Sequence, residues 1–278
     1  MKKYLLILLL ACSTLGNAQY NLFARQNFAH KVVSAYDADA QAFITAAGLT
    51  DLTQKNAINT LVVSLKSNSL WLKMKAIYPF IGGTAFSHKW NLKDPRDLNA
   101  AFRLTFSGSI THNSNGVTFL SGSDITTNFI MSANSVINDF QYSYYCRNEI
   151  SNAYLFRQSG SLQFFANVSS LLLSDMYDTT GAGPARVAVA NVSSIGYFSA
   201  SRLPSPIKHA VYKDGVLKAS NGTTAGTLQA GNLFINDATG AAGSNCAFAT
   251  LSEGLTDTEE STIYTIVQAY QTSLGRQN

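Results

Sequence analysis

The chain has 278 residues, enough for one large domain or two small ones. Only 13% of the residues are charged, while 46% are hydrophobic and 11% aromatic, which excludes a disordered chain and a Glu/Lys-rich helical bundle and suits an all-β protein. The formal charge is +4; without Lys2 and Lys3, 18 basic residues face 16 acidic ones, too even a balance for nucleic acid or an anionic membrane surface.

Met1-Lys2-Lys3 is basic, Tyr4 to Ala11 is apolar, and Gly16 and Ala18 supply the small residues of a cleavage site. This pattern predicts a signal peptide over 1–18 and a mature chain opening at Gln19, hence a secreted or cell-envelope protein. Leu9-Leu10-Ala11-Cys12 resembles the bacterial lipoprotein box, so lipidation at Cys12 is the alternative. No stretch of the mature chain is long and apolar enough to read as a membrane span.

A helical segment is expected within 19–69. Asp37 or Asp39 can cap a first helix with Ala40, Phe43, Ile44 and Ala47 on one face and Gly48 as its stop. Thr53 can cap a second, with Ile58, Leu61, Val62 and Leu65 as its stripe. Both stripes are narrow, so these helices should lie on the larger domain or mediate a homo-oligomer or a larger assembly.

From Trp71 the period becomes two. Leu72, Met74, Ala76 and Tyr78 alternate with their neighbours, as do Phe102, Leu104 and Phe106. Asn113 to Gly116 reads as a turn before a strand at 117–120. Phe140, Tyr142, Tyr144 and Cys146 share one strand face, with Gln141, Ser143, Tyr145 and Arg147 on the other. Further strands are expected at 154–157, 162–168, 186–192, 195–200, 233–235 and 246–251, with a hairpin around Asp214-Gly215. Thr256-Asp257-Thr258-Glu259 is a capping box opening a last helix, whose stripe is Ile263, Ile266, Val267, Tyr270 and Leu274, with Gly275 as the stop. Nothing divides 70–278, which reads as one sandwich or jelly roll.

Three landmarks carry a family resemblance: Ala76-Ile77-Tyr78-Pro79-Phe80 before Gly82-Gly83; Tyr212-Lys213-Asp214-Gly215-Val216; and Phe248–Leu251 running into Gly254 to Glu259. Their order resembles the concanavalin A-like, laminin-G-like jelly roll. With Asn91 to Asp97, the texture is similar to domains of bacteriophage tail and virion proteins and secreted bacterial relatives. The resemblance implies a mainly β fold, an antiparallel β-sandwich with an N-terminal helical segment and a C-terminal helix. It also implies a glycan- or protein-binding surface, but not catalysis, because the fold hosts many functions.

Candidate chemistry is sparse. The chain holds four Glu, at 149, 253, 259 and 260, with no strand-face pair, and Asp175 and Asp178 are three apart. A hydrolase needs two facing carboxyls. His30, His88, His112 and His209 lack ligand spacing, although a fold could bring one to a Tyr and an Arg, as a polysaccharide lyase requires. Ser107-Gly108-Ser109 and Ser121-Gly122-Ser123 read as turns. No cofactor or metal site is expected beyond a weak calcium ion near Asp214 or Asp237. Cys146 and Cys246 either form a disulfide, which an oxidising compartment permits, or serve as small buried hydrophobes.

The aromatic signal remains. Tyr145 can stack on a sugar or partner while Arg147 donates hydrogen bonds, or this face can simply pack; Trp90 is a second candidate, with the same alternative. The sequence therefore reads as a non-enzymatic exported or virion-associated sandwich that binds a surface glycan or protein partner. A structural decoration or assembly module is the alternative, and a glycan-active hydrolase or lyase a third. A virion protein needs no export signal, so a true leader favours a secreted bacterial protein.

Overall fold

The computed structural model describes residues 36–158, 162–177, 183–224, 226–228, 230–239 and 242–278. The leader, Cys12 and His30, together with Asp178, lie outside the described residues. Asp37–Asn278 forms one compact unit. Among the described residues no helix is long and apolar enough to cross a membrane.

Helices α1 (Ala38–Ala46) and α2 (Leu52–Ser67) open this unit. Asp37 caps α1 through its carboxylate, and the expected residues Ala40, Phe43, Ile44 and Ala47 are buried. The second cap is Asp51 rather than Thr53: its side chain accepts from the Gln54 amide, starting α2 at Leu52. An aspartate two residues upstream captures the free N–H groups before the threonine can.

Strands β1 (Met74–Tyr78), β2 (Thr105–Ser107), β3 (Ile110–Asn113), β4 (Gly116–Phe119), β5 (Asp124–Ile130), β6 (Phe140–Cys146), β7 (Phe156–Gln158) and β8 (Leu162–Val168) follow. Short helices α3 (Ala85–His88) and α4 (Met131–Asn134) interrupt them. Then come β9 (Leu171–Met176), β10 (Val187–Ala190), β11 (Gly196–Pro204), β12 (Ile207–Lys213), β13 (Val216–Asn221), β14 (Asn232–Ile235), β15 (Asn245–Ser252) and the last helix, α5 (Asp257–Ser273).

Two antiparallel sheets form a β-sandwich. One has the order β13-β12-β11-β6-β15-β4-β3, with β1 also pairing β15; the other runs β10-β9-β8-β7-β14-β5-β2. Phe119, Phe140, Tyr142, Tyr144, Phe156, Phe164, Phe198 and Leu251 join in one hydrophobic core drawn from both sheets. The expected strand at 102–106 is displaced. A 3-10 turn occupies Asn99–Ala101, Phe102 takes a left-handed φ of 57°, and pairing begins only at Thr105. Leu72 is likewise exposed in a turn, and alternation starts at Met74. Asp214 and Gly215 both have positive φ, which makes the tight hairpin turn that the Asp-Gly pair predicted.

Helix α5 lies on the outer face of the eight-stranded sheet. The Thr256–Glu259 capping box is formed, and Ile263, Val267 and Tyr270 are buried. The Tyr270 ring lies 5.7 Å from that of Phe248. Helix α2 packs on α5 in turn, with Ala57 and Leu61 facing Ile266 and Tyr270 across a small groove. The N-terminal segment thus lies on the terminal helix through α2, with α1 packed on α2.

Candidate functional site

Strand β6 alternates as expected, but both of its faces are buried. Tyr145 is only 1% exposed. Its hydroxyl donates to Gln268 Oε1 of α5 (3.0 Å) and accepts the backbone N–H of Asn278 (2.8 Å). Sugar stacking by Tyr145 is therefore corrected: α5 covers the face the ring occupies, and the residue packs. Arg147 beside it is half-buried, and its Nε has no hydrogen-bond partner. Trp90 is 6% exposed and is also a packing residue rather than a platform. Lys89 Nζ sits 4.4 Å above its ring, and Phe86 meets it edge-on at 5.7 Å. These surroundings differ from those of Tyr145, so the expected residues are not brought together as one site.

Cys146 and Cys246 are direct cross-strand partners on β6 and β15, and both are free, buried thiols. Burial pushes the Cys146 thiol up to about 11 and the Cys246 thiol well above its usual range, so both are held in the unreactive form. Among the described residues no group of three or more His, Cys, Asp or Glu side chains gathers for a metal. Asp214 accepts from the Tyr197 amide (2.9 Å), and Asp237 is engaged by Arg157 and Thr239.

The fold does bring a histidine to a tyrosine and a serine. His209 Nε2 lies 2.8 Å from Ser174 Oγ, which lies 2.7 Å from the Tyr142 hydroxyl, and His209 Nδ1 lies 2.7 Å from the Ala185 carbonyl. The Nδ1–H donates to that carbonyl, leaving Nε2 to accept from the serine. All three side chains are fully buried, and desolvation lowers the His209 pKa to about 3. The arrangement satisfies buried polar groups and offers no place for a substrate. His88 and His112 meet through their Nδ1 atoms at 3.0 Å, with the Gly83 amide donating to His88 Nε2. The glutamates do not pair: Glu253 and Glu259 bind Lys75 and Lys73, and Glu149 binds Ser193 and Ser194.

The outer face of the seven-stranded sheet carries a different arrangement. Strand alternation sends Phe156, Leu162, Phe164, Ala166 and Leu172 into the core, so their neighbours point outward. Register then builds two rows. In the first, Phe234 faces Arg157, Arg157 faces Gln163, and Gln163 faces Asp175. Arg186, just before β10, grips Asp175 with two bonds of 2.7 and 2.6 Å. In the second row, Phe165 faces Leu173, and Leu173 faces Ala188.

Tyr154 joins the rows. Its ring lies 4.3 Å from that of Phe165, and the Arg157 guanidinium lies 4.7 Å from its centre. Arg157 is 24% exposed, and its Nη1 donates to Asp237 (2.7 Å) and Thr239 (2.5 Å). Asp124, on the same face of β5, is raised in pKa by burial and by the nearby Asp237. Two residues beyond Phe165, Asn167 enters an open cleft of about 430 Å³ with Glu149, Ile150, Ser151 and Val192. Ser193 and the Ser194 amide hold the Glu149 carboxyl below its usual range. This face thus sets an aromatic ring beside fixed, hydrogen-bonding planar groups. The sequence located strands at 154–157 and 162–168 without marking these side chains. The outward alternation Gln163, Phe165, Asn167 was the available signal.

No protein-family profile matches this chain, and no curated protein matches it. Solved structures do. A botulinum neurotoxin type C structure, from work describing cell entry dependent on interaction with two ganglioside molecules, is 8% identical with a TM-score of 0.53, covering 73% of this chain and 53% of that one. The binding domain of botulinum neurotoxin serotype D is 10% identical, with a TM-score of 0.51, covering 71% and 53%. The receptor-binding domain of the C/D mosaic serotype is 7% identical, with a TM-score of 0.51, covering 70% and 51%. The match spans about half the length of these solved chains. At such identities the likeness is one of fold: a β-sandwich of the kind those binding domains contain.

Proposed function

We propose that this chain is a non-catalytic binding module, a concanavalin A-like sandwich that recognises a surface glycan through the outer face of its seven-stranded sheet. The observation that carries the reading is the half-buried Tyr154 ring, backed by buried Phe165 and flanked by Arg157, which Asp237 and Thr239 hold in place. A sugar ring presents apolar C–H faces to an aromatic ring and hydroxyls to fixed donors, and this surface supplies both. The ganglioside interaction described for the type C neurotoxin agrees with such a use of the fold. Export through the 1–18 leader would bring the module to a surface glycan. The test is binding of the purified mature chain to an array of glycans. Tyr154→Ala should weaken binding about tenfold. Array binding that this variant leaves unchanged would sink the site.

Assembly is the second reading, and one observation favours it. Leu52, Val63 and Leu72 are 65%, 46% and 83% exposed in the helical segment and the turn after it. Sedimentation of the mature chain tests it: a concentration-independent monomer counts against assembly, and Leu52→Ser with Val63→Ser should dissociate any oligomer.

A further inference from the structure

The polar row crosses the sheet with its charges already matched. Asp237 is paired with Arg157 at 2.7 Å and Asp175 with Arg186 at 2.6 Å, while Gln163 sits neutral between the two pairs. Asp124 adds a third carboxyl next to Asp237. The two arginines are thus balanced or outnumbered on this face, and each has its own carboxylate. Among the described residues of this row an anionic sugar would find no uncommitted cation, and the half-buried Asp124 and Asp237 would repel it.

The row is also long. From β14 through β7, β8 and β9 to β10 are four strand steps, roughly 19 Å at ~4.8 Å per step. That exceeds one sugar ring. Neither end is closed: Thr239 beyond β14 is exposed, and Arg186, just before β10, is 30% exposed. An exposed end does not cap a chain terminus; it lets a polymer run past. Aromatic contact is offered along the row by the half-buried Tyr154, with buried Phe165 packed against its ring, rather than at a closed end.

We infer that this face takes a neutral glycan chain, bound internally over several sugar residues along the Asp237–Arg157–Gln163–Arg186 row, rather than a single anionic terminal sugar. The inference rests on the glycan-binding reading given above. Hydroxyl groups would bridge the fixed guanidinium and amide groups, and one ring would lie on Tyr154.

The experiment uses the mature chain on an array carrying neutral oligosaccharides of increasing length beside sialylated, sulfated and uronate-containing chains, followed by calorimetry with the best binder. The expected result is affinity for neutral chains that rises with length and is unchanged between low and high salt. Gln163→Ala and Tyr154→Ala should each lower it about five- to tenfold. The folded state of each variant is checked by its thermal midpoint, and Gln163, a half-buried surface amide, provides the variant least able to disturb the fold. Binding only to acidic sugars, weakened by salt and lost in Tyr154→Ala, would overturn the inference and leave the glycan-binding reading standing. Affinity independent of chain length would also overturn it. Binding to no glycan would remove the glycan-binding reading and this inference with it.

Discussion

The outer faces of the two sheets both carry polar rows by alternation, yet these rows meet different surroundings. On the eight-stranded sheet, Gln141, Ser143, Ser199, Ser201, Thr250 and Ser252 lie buried under α5 and the adjoining chain. Apart from Gln141 Nε2, which has no partner, they are satisfied among themselves and by the chain above. Ser199 donates to Glu260 (2.6 Å), Ser201 to the Leu255 carbonyl (2.8 Å), Ser252 to Gln141 (3.0 Å), and Ser143 bonds Thr250 (2.5 Å). On the seven-stranded sheet, Arg157, Gln163 and Tyr154 keep partial exposure, while Asp175, Phe165 and Leu173 beside them are buried. Polarity at alternate strand positions therefore does not mean contact with water. It means only that the face is not part of the interlayer core, and what covers that face decides whether it becomes structure or surface.

The strongest way to break this contrast is at the far end of α5. Arg276 is buried, and its guanidinium donates to the carbonyls of Pro79, Phe80, Ser114 and Ala247 and to Gln271 Oε1. Arg276→Ala removes all of these bonds from a dry site, leaving Pro79 and Ala247 only their bonds from the Tyr270 hydroxyl and Gln271 Nε2. It should cost about 3–5 kcal/mol in chemical denaturation. A loss below 1 kcal/mol would mean that the covering layer is not held by this residue.

Acidity tests the same cover. Glu260 is fully buried on the sheet-facing side of α5, and desolvation raises its pKa from 4.5 to about 8. The folded state thus holds a proton that the unfolded chain releases, and stability falls as pH rises from 4.5 to 8. His88 and His209 work the other way. Burial lowers each from 6.5 to about 3, so the unfolded chain takes up their protons first and stability falls as pH drops from 6.5 to 3. Two histidines outweigh one carboxyl where the ranges overlap, which places the stability maximum near pH 6.5. Thermal midpoints across pH 4 to 9 would show it. Glu260→Gln should remove the alkaline decline and leave the acid limb unchanged; an alkaline limb that persists in this variant would assign it elsewhere.

A smaller effect is expected at the start of α5. The Thr256 hydroxyl accepts the Glu259 amide, and Glu259 returns a bond to the Thr256 amide (2.9 Å). Thr256→Ala should lower stability by about 1 kcal/mol, read as a shift in the urea midpoint at constant slope.

The smallest effect belongs to the open face. Gln163→Ala should change stability by no more than about 0.5 kcal/mol, because this face is not needed to close the core. A loss comparable to that of Arg276→Ala would show that the open face is also a structural layer, and the contrast would disappear.

Much of the architecture followed from local pattern. Period two placed β6, β8, β14 and β15, the Asp-Gly pair placed a hairpin, and Thr256 with Glu259 placed the start of α5. Each is a short-range rule: side chains alternate, a tight turn needs positive φ, and free amides need an acceptor within one turn. Strands β3, β5 and β9 were not legible, and edge strands such as β3 carry weak alternation. The Tyr145 face was legible as polar and aromatic but not as buried, because its cover comes from Gln268 and Asn278, more than a hundred residues away in sequence. The candidate face was legible only as strands. The pairing of Arg157 with Asp237 and of Tyr154 with Phe165 depends on which strands are neighbours and in what register. The sequence by itself determined the alternation, caps and turns that make a sandwich with terminal helices, since these act within a few residues. Only the tertiary structure decided which polar face α5 would bury and which would stay open, since that choice rests on contacts between segments far apart along the chain.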